Sequence, residues 1–392
     1  MKKRRLIKDI ILISIWFASI IYYMFGAGSY LYYDASLVLN VLSLIIIFNY
    51  RVQTRGLVKS IYYLTIIAII SSSLNFPFFD KDDHGFIKYL SFGISAYLAC
   101  IAAYSFVSKL GKNGLRIIYV YFVIIYLIGF VWYSRTNQLL DSIYKQNNTF
   151  YYVLTPLPFL LCINNKIINV LYLLASGFIC VFSTKRSALI AIILLILLYI
   201  IQFLRSQKKD RLKSIVIVGS FIFIGGHYLV KNYLDDRLFR TFDRMEQISD
   251  DGGSGRVEIS DKIWENDMPD LINFPGLFIG KGFEGIRHKH NLELLAAHND
   301  YQEILYSYGI IGFIIFLTIY YRIFQLYRKH LKRRSQYSFG ILACLTLFLL
   351  YGLLSNVFYF FFYFIPLFIF LGAMEAEQRN ENFQIYKDSK VI

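Results

Sequence analysis

Residues 254–264 read SGRVEISDKIW, residues 273–285 read NFPGLFIGKGFEG, and residues 297–312 read AHNDYQEILYSYGIIG. This is the one long part of the chain that is not mostly apolar. It carries Arg256 in a glycine-rich turn, a Gly280-Lys281-Gly282 turn, and a His298-Asn299 pair directly before a new apolar run. The rest of the chain reads as a scaffold that presents this segment.

The scaffold is a membrane one. Of 392 residues, 57% are hydrophobic and 18% aromatic, against about 45–50% apolar in soluble domains. The apolar residues fall in blocks of roughly 16–22, long enough to cross a bilayer core of about 30 Å. An outer-membrane barrel would instead alternate over segments of about ten residues. The expected fold is therefore all-α and polytopic. The net charge of +15 is the Lys and Arg excess of cytoplasmic loops, so nucleic acid is not an expected partner. The four cysteines, Cys100, Cys162, Cys180 and Cys344, all sit in apolar blocks without metal-ligand spacing. They indicate neither a disulfide framework nor a zinc site.

Twelve blocks can be counted: 10–25, 35–48, 57–74, 86–107, 115–132, 150–162, 167–182, 187–204, 214–230, 304–324, 339–354 and 357–373. Lys2, Lys3, Arg4, Arg5 and Lys8 precede the first, which reads as an uncleaved helix starting in the cytoplasm. With residue 1 inside, the inner loops collect Arg51, Arg55 and Lys59, then Lys109, Lys112 and Arg116, then the cluster of residues 205–213, then that of residues 328–334. The short outer loops are poor in Lys and Arg. The alternation predicts nine helices in 1–230, a large outer loop at 231–303, three helices in 304–374 and a cytoplasmic tail at 375–392.

Within the large loop, Arg237, Arg240 and Arg244 recur at helical spacing among Leu238, Phe239 and Phe242. This fits an amphipathic helix on the outer surface and fits equally a solvated charged face. Lys185 and Arg186 precede a helix that runs from outside to inside. Its free N–H groups and partial positive charge face outward, which makes an anion site, although a charged helix end also serves as a snorkelling anchor. Arg256 follows Gly252, Gly253, Ser254 and Gly255. Such a turn can form an anion-binding nest, and arginine adds a bidentate grip on phosphate.

His298 precedes the tenth block at the same expected membrane depth as Arg186. It has the chemistry of a general base. Asp300 and Glu303 read alternatively as a capping box that merely starts the helix. Gly309 and Gly312 mark a face where another helix or a lipid chain can approach closely. Asp82-Asp83, in an acidic outer loop, can be read as the carboxylate pair of a metal-dependent glycosyltransferase, but no supporting motif accompanies it.

These residues resemble the O-antigen ligase and polymerase superfamily, the Wzy and WaaL proteins of bacteria. The match runs through His298-Asn299, nine residues, Gly309, two residues and Gly312. Upstream it includes Gly255-Arg256, Trp264, Pro275, the turn of Gly280 and Gly282, and the helix start Ser183-Thr184-Lys185-Arg186-Ser187. Lys185 departs from the small polar residue common there. The resemblance covers residues 183–312.

The resemblance implies a GT-C-like, metal-independent membrane glycosyltransferase, without cofactor, at the outer face of a bacterial cytoplasmic membrane. Its donor would be an oligosaccharide on undecaprenyl pyrophosphate, handled among membrane lipid, with a flippase and a chain-length regulator as partner proteins. His298, Arg256 and Arg186 would be catalytic. Asn299, Lys185, Arg237, Arg240, Arg244, Gly280 and Gly282 would bind substrate. The aromatic helices and the three loop arginines favour a surface-polysaccharide polymerase. A ligase transferring glycan to lipid A-core is the alternative, and a lipid-linked oligosaccharide flippase is the rival of another class.

Overall fold

A computed structural model of the chain describes residues 2–25, 32–75, 85–139, 148–183, 185–206, 256–273, 275–283, 285–286, 299–354, 357 and 361–389. Those residues form helices and turns and no strand. In order the helices are α1 (Lys2–Phe25), α2 (Tyr32–Tyr50), α3 (Gly56–Asn75), α4 (Gly85–Leu110), α5 (Lys112–Leu139), α6 (Tyr151–Leu154) and α7 (Leu157–Leu160). Then come α8 (Lys166–Phe182), α9 (Arg186–Ser206), α10 (Arg256–Lys262), α11 (Gly276–Ile279), α12 (Asp300–Lys332), α13 (Ser338–Leu354) and α14 (Phe361–Ser389).

Apolar runs become helices because a helix satisfies its own backbone where no water is present. Stretches in α1, α3, α4, α5 and α12 are long and apolar enough to cross a membrane. Phe48, Leu127, Ile167, Leu171 and Ile314 are well exposed on the outer surface of the bundle. That surface suits lipid and not water. The protein is a multi-pass α-helical membrane protein.

The bundle closes around α4. Its Ala96, Ala99, Ala102 and Ala103 are fully buried. Small residues let neighbouring backbones come close: a Cβ added to Gly372 of α14 would stand 2.1 Å from the Cys100 carbonyl oxygen. On the other side Asn40 of α2 donates to the Ser91 carbonyl and hydroxyl oxygens at 2.7 and 2.8 Å. All four cysteines are buried and free.

Two expected spans take other forms. The block at 150–162 is a buried 3₁₀ turn followed by α6 and α7, not one helix. Pro156 and Pro158 lack the N–H groups that would continue the ladder. The segment wedges against α5 and α13, where a Cβ on Gly340 would strike the Pro158 carbonyl oxygen and Cys162 Sγ, both at 2.3 Å. The second is α12. At Gly309 the backbone turns to φ +65°, ψ −169°. Tyr301 and Tyr320 would stand ~28 Å apart along an unbroken helix, yet their rings stack with centroids 6.2 Å apart. The arm 300–308 therefore folds back alongside the arm 310–332. The block at 214–230 and Asp82-Asp83 lie outside the described residues.

Candidate functional site

The folded-back arm is held by an exchange of backbone hydrogen bonds. In a continuous helix the carbonyls of Tyr306 and Ser307 would accept from residues 310 and 311. The break at Gly309 frees them. Lys281 N–H donates to the Tyr306 carbonyl and Gly282 N–H to that of Ser307, each at 2.9 Å. From α3, Ser71 Oγ donates to the Ser307 carbonyl at 2.7 Å and accepts from Gly282 N–H at 3.0 Å. Asn75 Nδ2 donates to the Gly280 carbonyl at 3.2 Å.

Gly280 and Gly309 are both obligatory here. Their φ values are +77° and +65°, in the region that favours glycine. A Cβ on Gly280 would stand 2.3 Å from the Ser307 carbonyl, and one on Gly309 would stand 2.5 Å from that of Phe278. The close approach expected at Gly309 is thus made by the Phe278–Gly280 backbone. Gly312 faces Tyr308 of the other arm, whose Cβ would lie 2.3 Å from an added one.

Asn299 and Asp300 lie at the buried tip of this arm. The N-cap of α12 is Asn299, one residue before the capping box expected at Asp300: its Oδ1 accepts from Tyr301 N–H at 2.9 Å. Asp300 is released from the cap and is fully buried. Its Oδ2 accepts from Val357 N–H at 3.0 Å, across the gap between α13 and α14. It also lies 3.4 Å from where a Cβ on Gly352 would stand. A buried carboxylate persists only with such partners. Sequence reading missed this role for Asp300. The signal available was a carboxylate four residues before the apolar run 304–324.

Arg186 reaches the same level from another direction. Gln202 of α9 donates to Ser338 Oγ at 3.3 Å, and the Tyr199 ring meets Phe339, so α9 runs antiparallel to α13. Arg186 lies sixteen residues before Gln202, and Gly352 lies fourteen beyond Ser338. At ~1.5 Å per residue both stand ~21–24 Å above that shared base. Arg186, half-buried at the start of α9, is therefore level with Asn299 and Asp300. Ser183 shapes the entry to α9: its Oγ donates to the Cys180 carbonyl at 2.8 Å and accepts from Lys185 N–H at 3.3 Å.

The segment holding Arg256 docks on the same arm. Ile263, Met268, Leu271 and Ile286 form a second small core with Tyr306, and Gln302 Nε2 donates to Ser260 Oγ at 2.5 Å. The Ser260–Gln302 and Ile263–Tyr306 pairs advance together along both chains. Arg256, one turn before Ser260, is thereby placed toward the Asn299 end. It opens α10. Trp264 lies in the π-helical turn that follows and is 53% exposed. His298, Arg237, Arg240 and Arg244 lie outside the described residues. Among the described residues no group of three or more His, Cys, Asp or Glu is assembled as a metal site.

One arm of α12 thus folds back into the bundle and carries Asn299 and Asp300 to the level of the start of α9. Residues 171–317, which include most of α8 and all of α9, α10, α11 and the folded-back arm, match the family model for O-antigen ligase. Over those residues the chain is similar to the O-antigen ligase family. It is also similar to a ComP-specific O-oligosaccharyltransferase of Acinetobacter baylyi (strain ATCC 33305 / BD413 / ADP1), 25% identical over 282 residues that cover 67% of this chain and 48% of that protein. The match spans about half the length of that relative.

Proposed function

We propose that this protein is a ligase-type membrane glycosyltransferase. It moves an oligosaccharide from undecaprenyl pyrophosphate to an acceptor hydroxyl, at the outer face of the cytoplasmic membrane of a bacterium. The observation that carries this reading is the folded-back arm. It brings the residue after His298 level with Arg186 inside the bundle, and the Arg256 segment is docked on the same arm.

In this scheme the acceptor oxygen attacks the anomeric carbon while the bond from that carbon to the pyrophosphate oxygen breaks. His298 takes the hydroxyl proton, a contribution of roughly 10²–10⁴-fold. Negative charge grows on the departing lipid pyrophosphate, where Arg186, Arg256 and the N-terminus of α9 stabilise it. Asn299 has its Oδ1 committed to the cap, so its amide N–H groups are what it offers the sugar. Lys185 adds charge beside Arg186. The scheme routes no step through a metal.

Between the two sub-activities, the ligase description of the matched family and the oligosaccharyltransferase name of the relative support transfer to a distinct acceptor over polymerisation. Deletion followed by analysis of surface glycan tests this. A ligase deletion leaves long chains on undecaprenyl pyrophosphate and none on the acceptor. Single repeats still joined to acceptor would make the protein the polymerase.

A further inference from the structure

The opposite end of the bundle holds a cavity of about 940 Å³ that the transfer scheme does not use. Its cations come from four places: Arg51 and Arg55 from the α2–α3 connection, Lys109 from the end of α4, Lys329 from α12 and Arg379 from α14. Among the described residues of the lining the one carboxylate is Glu375. It sits against the first turn of α3, where it accepts from Leu57 N–H and lies within 2.0 Å of where a Cβ on Gly56 would stand.

The wall is held in place. Arg379 Nη1 donates to Tyr104 Oη at 3.2 Å and to the Gln53 carbonyl at 3.4 Å, and Tyr104 Oη donates to that carbonyl at 3.1 Å. Asn380 Nδ2 donates to the Val107 carbonyl at 3.1 Å. Arg51 holds φ +40°, unusual for a residue with a side chain, as the chain turns off α2.

Solvated inside-positive loops spread their cations into water. Here cations from separate elements line one concavity, a geometry suited to phosphate. Aromatic and apolar side chains mark the lipid boundary beside it. Phe48 is 66% exposed three residues before Arg51, and Lys59 Nζ lies 5.5 Å over the exposed Tyr63 ring. Aromatic rings concentrate at headgroup level.

We propose that this cavity binds the phosphate of an anionic phospholipid headgroup in the leaflet opposite the Asp300 end. The proposal stands independently of the transfer reaction. The test is native mass spectrometry of the full chain in detergent, titrated with phosphatidylglycerol or phosphatidylcholine, with a parallel thermal-shift series in inorganic phosphate.

The wild type should retain phosphatidylglycerol preferentially. The double variant Arg55→Gln/Lys109→Gln, at two exposed positions, should lose about fivefold in apparent affinity per cation removed. The control Lys112→Gln/Arg116→Gln, in a neighbouring cavity of about 650 Å³, should bind like wild type. Equal losses in both double variants, or no preference over phosphatidylcholine, would overturn the site. Stabilisation by inorganic phosphate without phosphatidylglycerol retention would overturn the lipid as its source and assign a soluble phosphate.

Discussion

At the scale of single residues, chemistry and burial lead to separate expectations. Replacing His298 by Ala should lower glycan transfer by roughly 10²–10⁴-fold, read as accumulated donor in membranes with protein levels unchanged. Arg186→Lys should also impair transfer, because a point charge does not reproduce the planar fork of a guanidinium. A structural expectation attaches to Glu375, beyond the apolar run of α14. Burial pushes its carboxyl from 4.5 up to about 7, against the lowering influence of Lys329 and of the Leu57 N–H. Glu377 is raised as well, by burial and then by Glu381. A carboxyl raised in the fold adds stability that is complete below its unfolded pKa and disappears as pH rises through the folded one. The melting temperature in detergent should therefore fall between about pH 5 and pH 8. Glu375→Gln/Glu377→Gln should flatten that slope, and an unchanged slope would refute the assignment.

At the scale of elements, the turn 275–282 and the arm 300–308 behave as one unit. Gly280→Ala and Gly309→Ala each force a Cβ into a carbonyl at 2.3 and 2.5 Å and strain a left-handed backbone. Each should lower the melting temperature by several degrees and reduce transfer together with it. Gly177→Ala is the matched control, since its Cβ would meet only Ile192 at 3.8 Å. Asp300→Leu should cost ~1–3 kcal/mol by leaving the Val357 N–H buried without its acceptor. Chemical denaturation in mixed micelles reads this directly, with Asp300→Asn expected to recover most of the loss. Loss of activity with stability intact in Gly309→Ala would separate the arm's position from its support of the fold.

At the scale of the whole molecule, the expectation concerns orientation in the membrane. Cysteine labelling should place Asp250 outside, and Lys209 and Arg333 inside. Labelling of position 250 from the cytoplasm would reverse the proposed site. EDTA should leave transfer unchanged, and inhibition reversed by a divalent ion would direct attention to Asp82-Asp83.

Of the eleven apolar blocks that fall on described residues, nine were legible as single helices, because a run such as 57–74 has no other way to satisfy its backbone in lipid. The order of the motif residues was equally legible, since residue types at set spacings are properties of the chain itself. The sequence by itself therefore determined an α-helical membrane protein with a segment that resembles the O-antigen ligase superfamily, and singled out Arg186, Arg256, His298 and Asn299 as candidates. It did not determine that 150–162 breaks into buried turns, that α12 doubles back at Gly309, or that Asp300 leaves the cap for Val357. Those depended on partners far along the chain: Gly340 against Pro158, the 278–282 backbone against the freed carbonyls of residues 306 and 307, and the Val357 N–H between α13 and α14. A glycine inside an apolar run reads as helix until a second backbone is present to take up its hydrogen bonds. Only the tertiary structure supplies that backbone.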